Sequence, residues 1–112
     1  MKNIVIIDGI EYVLLKAYSG DGYVIVRSAT AGVFAGTIRH EDGATITMNS
    51  CRRLWWWEGA ASISQMAIDG VSLPEKCKFS VRTKNHAIYG VCEKIPCTQE
   101  ARDSIEGVKE WK

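Results

Sequence analysis

Residues 49–66 carry the side chains with the most chemistry to offer: Arg52 and Arg53, then Leu54, then Trp55, Trp56 and Trp57, then small residues leading to Ser62, Ser64 and Gln65. Indole supplies a flat stacking surface and guanidinium a bidentate grip on phosphate or carboxylate, so the run suits a flat anionic ligand as well as the edge of a core. If it is a strand, alternation puts Trp55 and Trp57 on one face and Trp56 on the other, with Arg53 siding with Trp55 and Arg52 with Trp56. Three adjacent indoles cannot all enter one core. At least one is expected to face a pocket, a partner chain or solvent.

Catalytic chemistry is harder to find. The histidines, His40 and His86, stand alone, and Cys51, Cys77, Cys92 and Cys97 form no CxxC pair and no zinc spacing. They read as free thiols in a reducing compartment. Acids such as Asp21, Glu41 and Glu58 are isolated and read as solvated turn residues. No catalytic residue, metal ligand or cofactor is therefore expected, and the chain is read as a binder, not an enzyme.

The elements that position these side chains must fit in 112 residues, which is one domain with a modest core. Fourteen basic against thirteen acidic side chains leave a formal charge of +1, and a nucleic-acid binder normally carries a basic excess, so that class is disfavoured. After Lys2-Asn3 only four apolar residues precede Asp8-Gly9, too few for a signal peptide, and no apolar run approaches membrane-spanning length. A cytoplasmic protein without a membrane partner is expected.

Along the chain, 3–7 and 10–15 flank Asp8-Gly9 as a hairpin with a two-residue type I′ turn, so 1–17 is an N-terminal hairpin. Central strands follow over 18–57: 23–28, rich in β-branched residues, a reversal at 29–32, then 33–39, an Asp42-Gly43 turn, and an alternating strand from 44 into the Arg-Trp run. Gly36 inside a strand marks a bulge, a corner or a close backbone approach. Ser62 to Asp69, within 60–70, reads as a short helix stopped by Gly70. Its start, entered through small residues, offers backbone N–H groups to an anion. Two strands in 78–95 are expected around a polar turn at 84–86, and Thr98 caps a C-terminal helix within 98–107. The fold class is α+β: an antiparallel, strongly bent sheet or partly open barrel of six or seven strands with two short helices.

Three of these segments together carry a resemblance: Tyr23 to Arg27 with Ala31 to Gly36, Arg52 to Gln65, and Ile95 to Thr98. The chain resembles a family of small phage and prophage proteins, many without an assigned function, over about residues 22–112; residues 1–17 lie outside it. It is also similar to the phage Thoeris anti-defence proteins of the first type, sponges that hold the cyclic ADP-ribose isomers made by bacterial TIR enzymes without cleaving them. The resemblance implies a cyclic-nucleotide-type ligand, a homo-oligomer and no reaction.

Such a ligand offers an adenine face, a phosphodiester or pyrophosphate and hydroxyls. The matching side chains are Trp55, Trp57 or Phe34 for stacking, Arg27, Arg52 and Arg53 for phosphate, and Ser62, Ser64 or Gln65 for hydroxyls and base edges. A protein- or single-strand-binding module with an exposed aromatic patch is the alternative. Because a small domain with two short helices has about one face of core to offer, the remaining indoles are expected to be covered by a second copy, in a homodimer at least.

Overall fold

A computed structural model describes residues 17–112, together with the backbone of 3–7 and 10–14. Strands β1 (Asn3–Ile7) and β2 (Ile10–Leu14) pair antiparallel with Ile7 opposite Ile10. The expected Asp8-Gly9 turn and Leu15 lie outside the described residues.

Strand β3 (Tyr23–Ser28) explains the layout of the rest. Its Tyr23, Val24, Ile25 and Val26 are all buried, a continuous apolar run that only a strand covered on both faces can sustain. Tyr23 and Ile25 enter one core with Ala35, Leu54, Phe79 and residues of both helices. Val24 and Val26 enter a second with Phe34, Ile46, Met48, Cys51 and Ile88. The expectation of one core face is thus corrected: among the described residues there are two cores, one on each side of the sheet.

The sheet runs β6-β5-β4-β3-β8, built from β3, β4 (Gly32–Asp42), β5 (Thr45–Trp56), β6 (Lys78–Phe79) and β8 (Val91–Pro96). A sixth strand, β7 (His86–Ile88), pairs with the first half of β5, while β6 pairs with its last residues. Helices α1 (Ile63–Asp69) and α2 (Gln99–Gly107) cover one face. Among the described residues this is an antiparallel, bent, six-stranded sheet that does not close, with two helices: an α+β fold. None of those helices is long and apolar enough to cross a membrane.

Local chemistry accounts for much of this. Ser62 and Thr98 cap α1 and α2, accepting from the backbone N–H of Gln65 and Ala101. Between Ala35↔Arg52 and Thr37↔Asn49, β5 holds one residue more than β4, with Ser50 at φ 48°. Gly36 faces that bulge so closely that a Cβ there would lie 2.7 Å from the Asn49 carbonyl oxygen. The strands expected in 78–95 come out differently. Gly90, at φ 66°, splits 86–96 into β7 and β8, and β6 pairs with β5, not across the 84–86 turn. The left-handed turn at Gly90 lets β7 return to β5 while β8 crosses to β3.

A second bulge overturns the alternation of the tryptophans. Leu54 faces Phe79 and Trp56 faces Lys78, so Trp55 is the extra residue and does not send Trp56 into the core. Trp55 and Trp56 are both exposed, at 63% and 53%, and Trp57 returns to the helix-side core beside α1.

Arg52 is fully buried against that same core. Its Nε donates to the Ser80 carbonyl at 3.0 Å, Nη1 to the Ile105 carbonyl at 2.7 Å and Nη2 to the Phe79 carbonyl at 3.3 Å. Burial and nearby Arg82 lower its pKa, while Glu106, Tyr23 and Glu110 favour the charge. Arg52→Met, which keeps length and removes the charge, is expected to cost about 3 to 5 kcal/mol in urea unfolding, because three carbonyls lose a charged donor at once. Arg53→Met next to it is expected to cost about 1 kcal/mol or less. Equal losses at the two positions would contradict this division of roles.

The cysteines give a second check. All four are free, with Cys51, Cys77 and Cys97 buried and Cys92 exposed. Burial pushes the Cys51 thiol up to about 11 and that of Cys97 to about 12, so neither offers a thiolate near neutral pH. Brief alkylation of the native protein is expected to label Cys92 alone, as read by peptide mass spectrometry; rapid labelling of Cys51 or Cys97 would rule out this packing.

Candidate ligand-binding site

Arg53 is the residue around which a site can be built. The register sets it opposite Phe34 across β4 and β5. Its main chain is held by Ser80, whose Oγ accepts from the Arg53 N–H at 2.7 Å and whose N–H donates to the Arg53 carbonyl at 3.0 Å. The guanidinium carbon lies 4.5 Å from the centre of the Phe34 ring, and Nη1 donates to the Ala31 carbonyl. Among the described residues, Nε and Nη2 have no further partner. The outcome is an exposed cation resting over an aromatic base, its orientation fixed before any ligand arrives.

Two further groups complete the neighbourhood. His86 packs edge-on to Phe34, with ring centres 5.3 Å apart, and its Nδ1 lies 2.7 Å from Thr83 Oγ1. Thr83 is anchored by two backbone hydrogen bonds with Cys51, each 2.9 Å. Two residues along β5 from Arg53 stands the bare indole of Trp55. Arg53 and His86 thus pack on one Phe34 ring, a cation and an imidazole able to hold an anion between them.

The other residues expected in this site are placed elsewhere. Arg52 is sealed in the core, so it is corrected from a ligand contact to a structural cation. Phe34 is fully buried beneath Arg53, so it supports the guanidinium and cannot itself stack on a ligand. Arg27 shares the helix-covered face with Ile25, on the side of the sheet opposite Arg53, and is paired with Glu93 at 3.0 Å. Trp57 is half-buried against the α1 side. Ser62 and Gln65 cap α1 itself: Ser62 Oγ accepts from Gln65 N–H and Gln65 Oε1 accepts from Ala61 N–H at 2.9 Å. Those contacts use the α1 start locally, and Ser64 is exposed on the helix away from Arg53. Of the expected residues, Arg53 and Trp55 both stand exposed on β5. His86, Thr83 and Ser80 join Arg53 without any spacing signal, because β7 and the loop before it are brought to β5 by pairing alone.

An open groove of about 730 Å³ lies at the C-terminal end, between Pro74, Cys77, Lys109, Glu110 and Trp111, and contains none of the expected site residues. Of its lining residues, Glu110 is paired with Arg82 at 2.8 Å and Trp111 lies under the Lys78 ammonium. Among the described residues no group of three or more His, Cys, Asp or Glu side chains could hold a metal.

Burial, and then the charge of Arg53, lower the pKa of His86 from its ordinary 6.5. The folded state therefore binds its proton less readily than the unfolded chain. Any stability linked to this group is fully present above pH 6.5 and is lost as the pH falls through the lower folded value. In an NMR titration the His86 midpoint is expected below 6.5, and Arg53→Ala is expected to raise it by removing the charge. A midpoint unmoved by Arg53→Ala would show that the guanidinium does not act on the ring.

Comparison with curated proteins and with solved structures returns no match. A family profile does match, over residues 21–105, which spans β3 to the last turn of α2. The chain belongs to the family described as "Domain of unknown function (DUF6948)".

Proposed function

We propose that the protein is a non-catalytic binder that sequesters a cyclic-nucleotide-type signal, such as a cyclic ADP-ribose isomer or a cyclic oligonucleotide, in the cytoplasm of an infected bacterium, as the phage anti-defence resemblance implies. The observation that carries this reading is the exposed Arg53 guanidinium, preset on Phe34, with the bare indole of Trp55 two residues along the same strand. Arg53 grips the phosphate and Trp55 stacks on the base. Stacking of this kind is worth about 1 to 3 kcal/mol per base, whereas nanomolar capture needs about 12 kcal/mol, so a flat surface on one chain is not enough. In this reading a second copy supplies the other wall and covers Trp56, giving a homodimer or larger assembly.

A protein- or single-strand-binding module remains the alternative, and a specific feature favours it: Trp55, Trp56 and Trp111 are all more than half exposed, with Lys78 lying between the last two. Large bare indoles are what a macromolecular partner buries.

Native mass spectrometry against a panel of cyclic ADP-ribose isomers and cyclic oligonucleotides separates the two. The expected result is an oligomer carrying one of these molecules, which denaturation releases with unchanged mass. Arg53→Ala is expected to lose the ligand while the oligomer persists, and Trp56→Ala to weaken the oligomer. Appearance of a linear product, or a monomer that binds only protein or single strands, would overturn the proposal.

A further inference from the structure

We propose that Arg53 and His86 form one proton-coupled anion site, in which His86 takes up a proton as an anion settles on Arg53, so that anion affinity rises as the pH falls. This rests on the reading of Arg53 as the anion contact and adds a second, switchable cation to it.

In the proposed site, the tautomer of His86 is assigned through its neighbour. Thr83 Oγ1 lies 3.2 Å from the Cys51 carbonyl and 2.7 Å from His86 Nδ1. With its proton given to the carbonyl, the hydroxyl oxygen accepts from His86, whose neutral form then carries its proton on Nδ1. Nε2 is then the nitrogen with the open lone pair, and among the described residues it has no partner. Nothing need break for it to be protonated, because the Nδ1–H···Oγ1 bond is kept in the imidazolium.

The placement makes that proton conditional. Arg53 and His86 pack on the same Phe34 ring, at 4.5 Å and 5.3 Å from its centre, so protonation sets a second positive charge near a permanent one. No negative group acts on the ring to offset this among the described residues: Arg53 is the charge that bears on it, Cys51 on β5 is a thiol held neutral by burial, and β4 contributes the uncharged Phe34. An anion on Arg53 removes the repulsion and gives the imidazolium a partner. By linkage, whatever raises the proton affinity of His86 on binding raises anion affinity at lower pH by the same factor. An anion of the phosphodiester class, charged at all relevant pH values, is the fitting ligand.

Sulfate is a suitable probe, since it stays doubly charged over roughly pH 5 to 8 and only the protein titrates. The full-length protein is titrated by NMR in sulfate and in chloride at equal ionic strength, following the His86 ring and the Arg53 Nε–H. Sulfate is expected to raise the His86 midpoint, and its affinity to increase about tenfold for each unit of that rise between high and low pH. His86→Asn keeps an N–H for Thr83 but cannot be protonated; it is expected to bind sulfate equally at both ends of the range. Arg53→Ala is expected to abolish the difference between sulfate and chloride. If Arg53 responds to sulfate while the His86 midpoint stays put, the proton coupling is wrong and the anion contact stands. Silence at both groups would overturn the anion site itself, whereas capture of a cyclic nucleotide is decided independently by mass spectrometry.

Discussion

A guanidinium sealed in the core is the constraint that the rest of this structure depends on. Arg52 joins two distant chain segments to β5 through three carbonyls: Phe79 and Ser80 at the end of β6, and Ile105 in the last turn of α2. Carbonyls at the end of a helix lack partners within it and carry partial negative charge, so a cation there both satisfies them and suits the helix dipole. Lysine could not do the same, because one ammonium on a flexible stem lacks the planar fork that reaches three acceptors at once. The surrounding charges are balanced as well: Glu106 accepts from Tyr23 Oη at 2.7 Å and from Arg82 Nε at 3.0 Å, and Arg82 also pairs with Glu110. Two arginines and two glutamates thus tie the C-terminal helix and tail to the sheet.

That anchorage bears directly on the candidate site. Ser80, which gives its carbonyl to Arg52, also gives its N–H and hydroxyl oxygen to the main chain of Arg53. The two arginines therefore share one clamp while facing opposite sides of the sheet. One is immobilised in protein; the other presents its charge to solvent from a fixed base. A cation held this way loses little freedom on binding, which is where a small, flat site gains most of its affinity.

The bulges decide what the tryptophans do. At Ser50 the extra residue lets Cys51 face the second core and Arg52 the first. At Trp55 another leaves two indoles outside and returns Trp57 to the helix side. Without the irregularity at Trp55, alternation from Leu54 would have turned Trp56 toward the helix-side residues. The sheet curls at the same places, so the second core, from Val24 to Ile88, is enclosed largely by strands while the first is capped by helices.

Much of the fold could be read directly from neighbouring residues. The reversals at 29–32 and Asp42-Gly43, the caps at Ser62 and Thr98, the Gly70 stop and the tight approach at Gly36 all depend on sterics and hydrogen bonds within a few residues, and these act the same in any context. The fates of Arg52 and Arg53 could not be read in this way. They are adjacent, chemically identical side chains, and their roles diverge because Phe79 stands 27 residues further on and Ile105 stands 53, on segments whose arrival no local pattern announces. The same holds for His86 and Thr83, an isolated histidine and a loop threonine until β7 and the bridge to Cys51 bring them beside Phe34. Composition and local propensity determined that this chain forms a bent sheet with two capped helices and more indole than one core can take. Which arginine is buried, which indoles are bare and what stands beside the exposed cation were decided by long-range pairing, because burial and charge placement depend on the strand opposite and not on the residue alone.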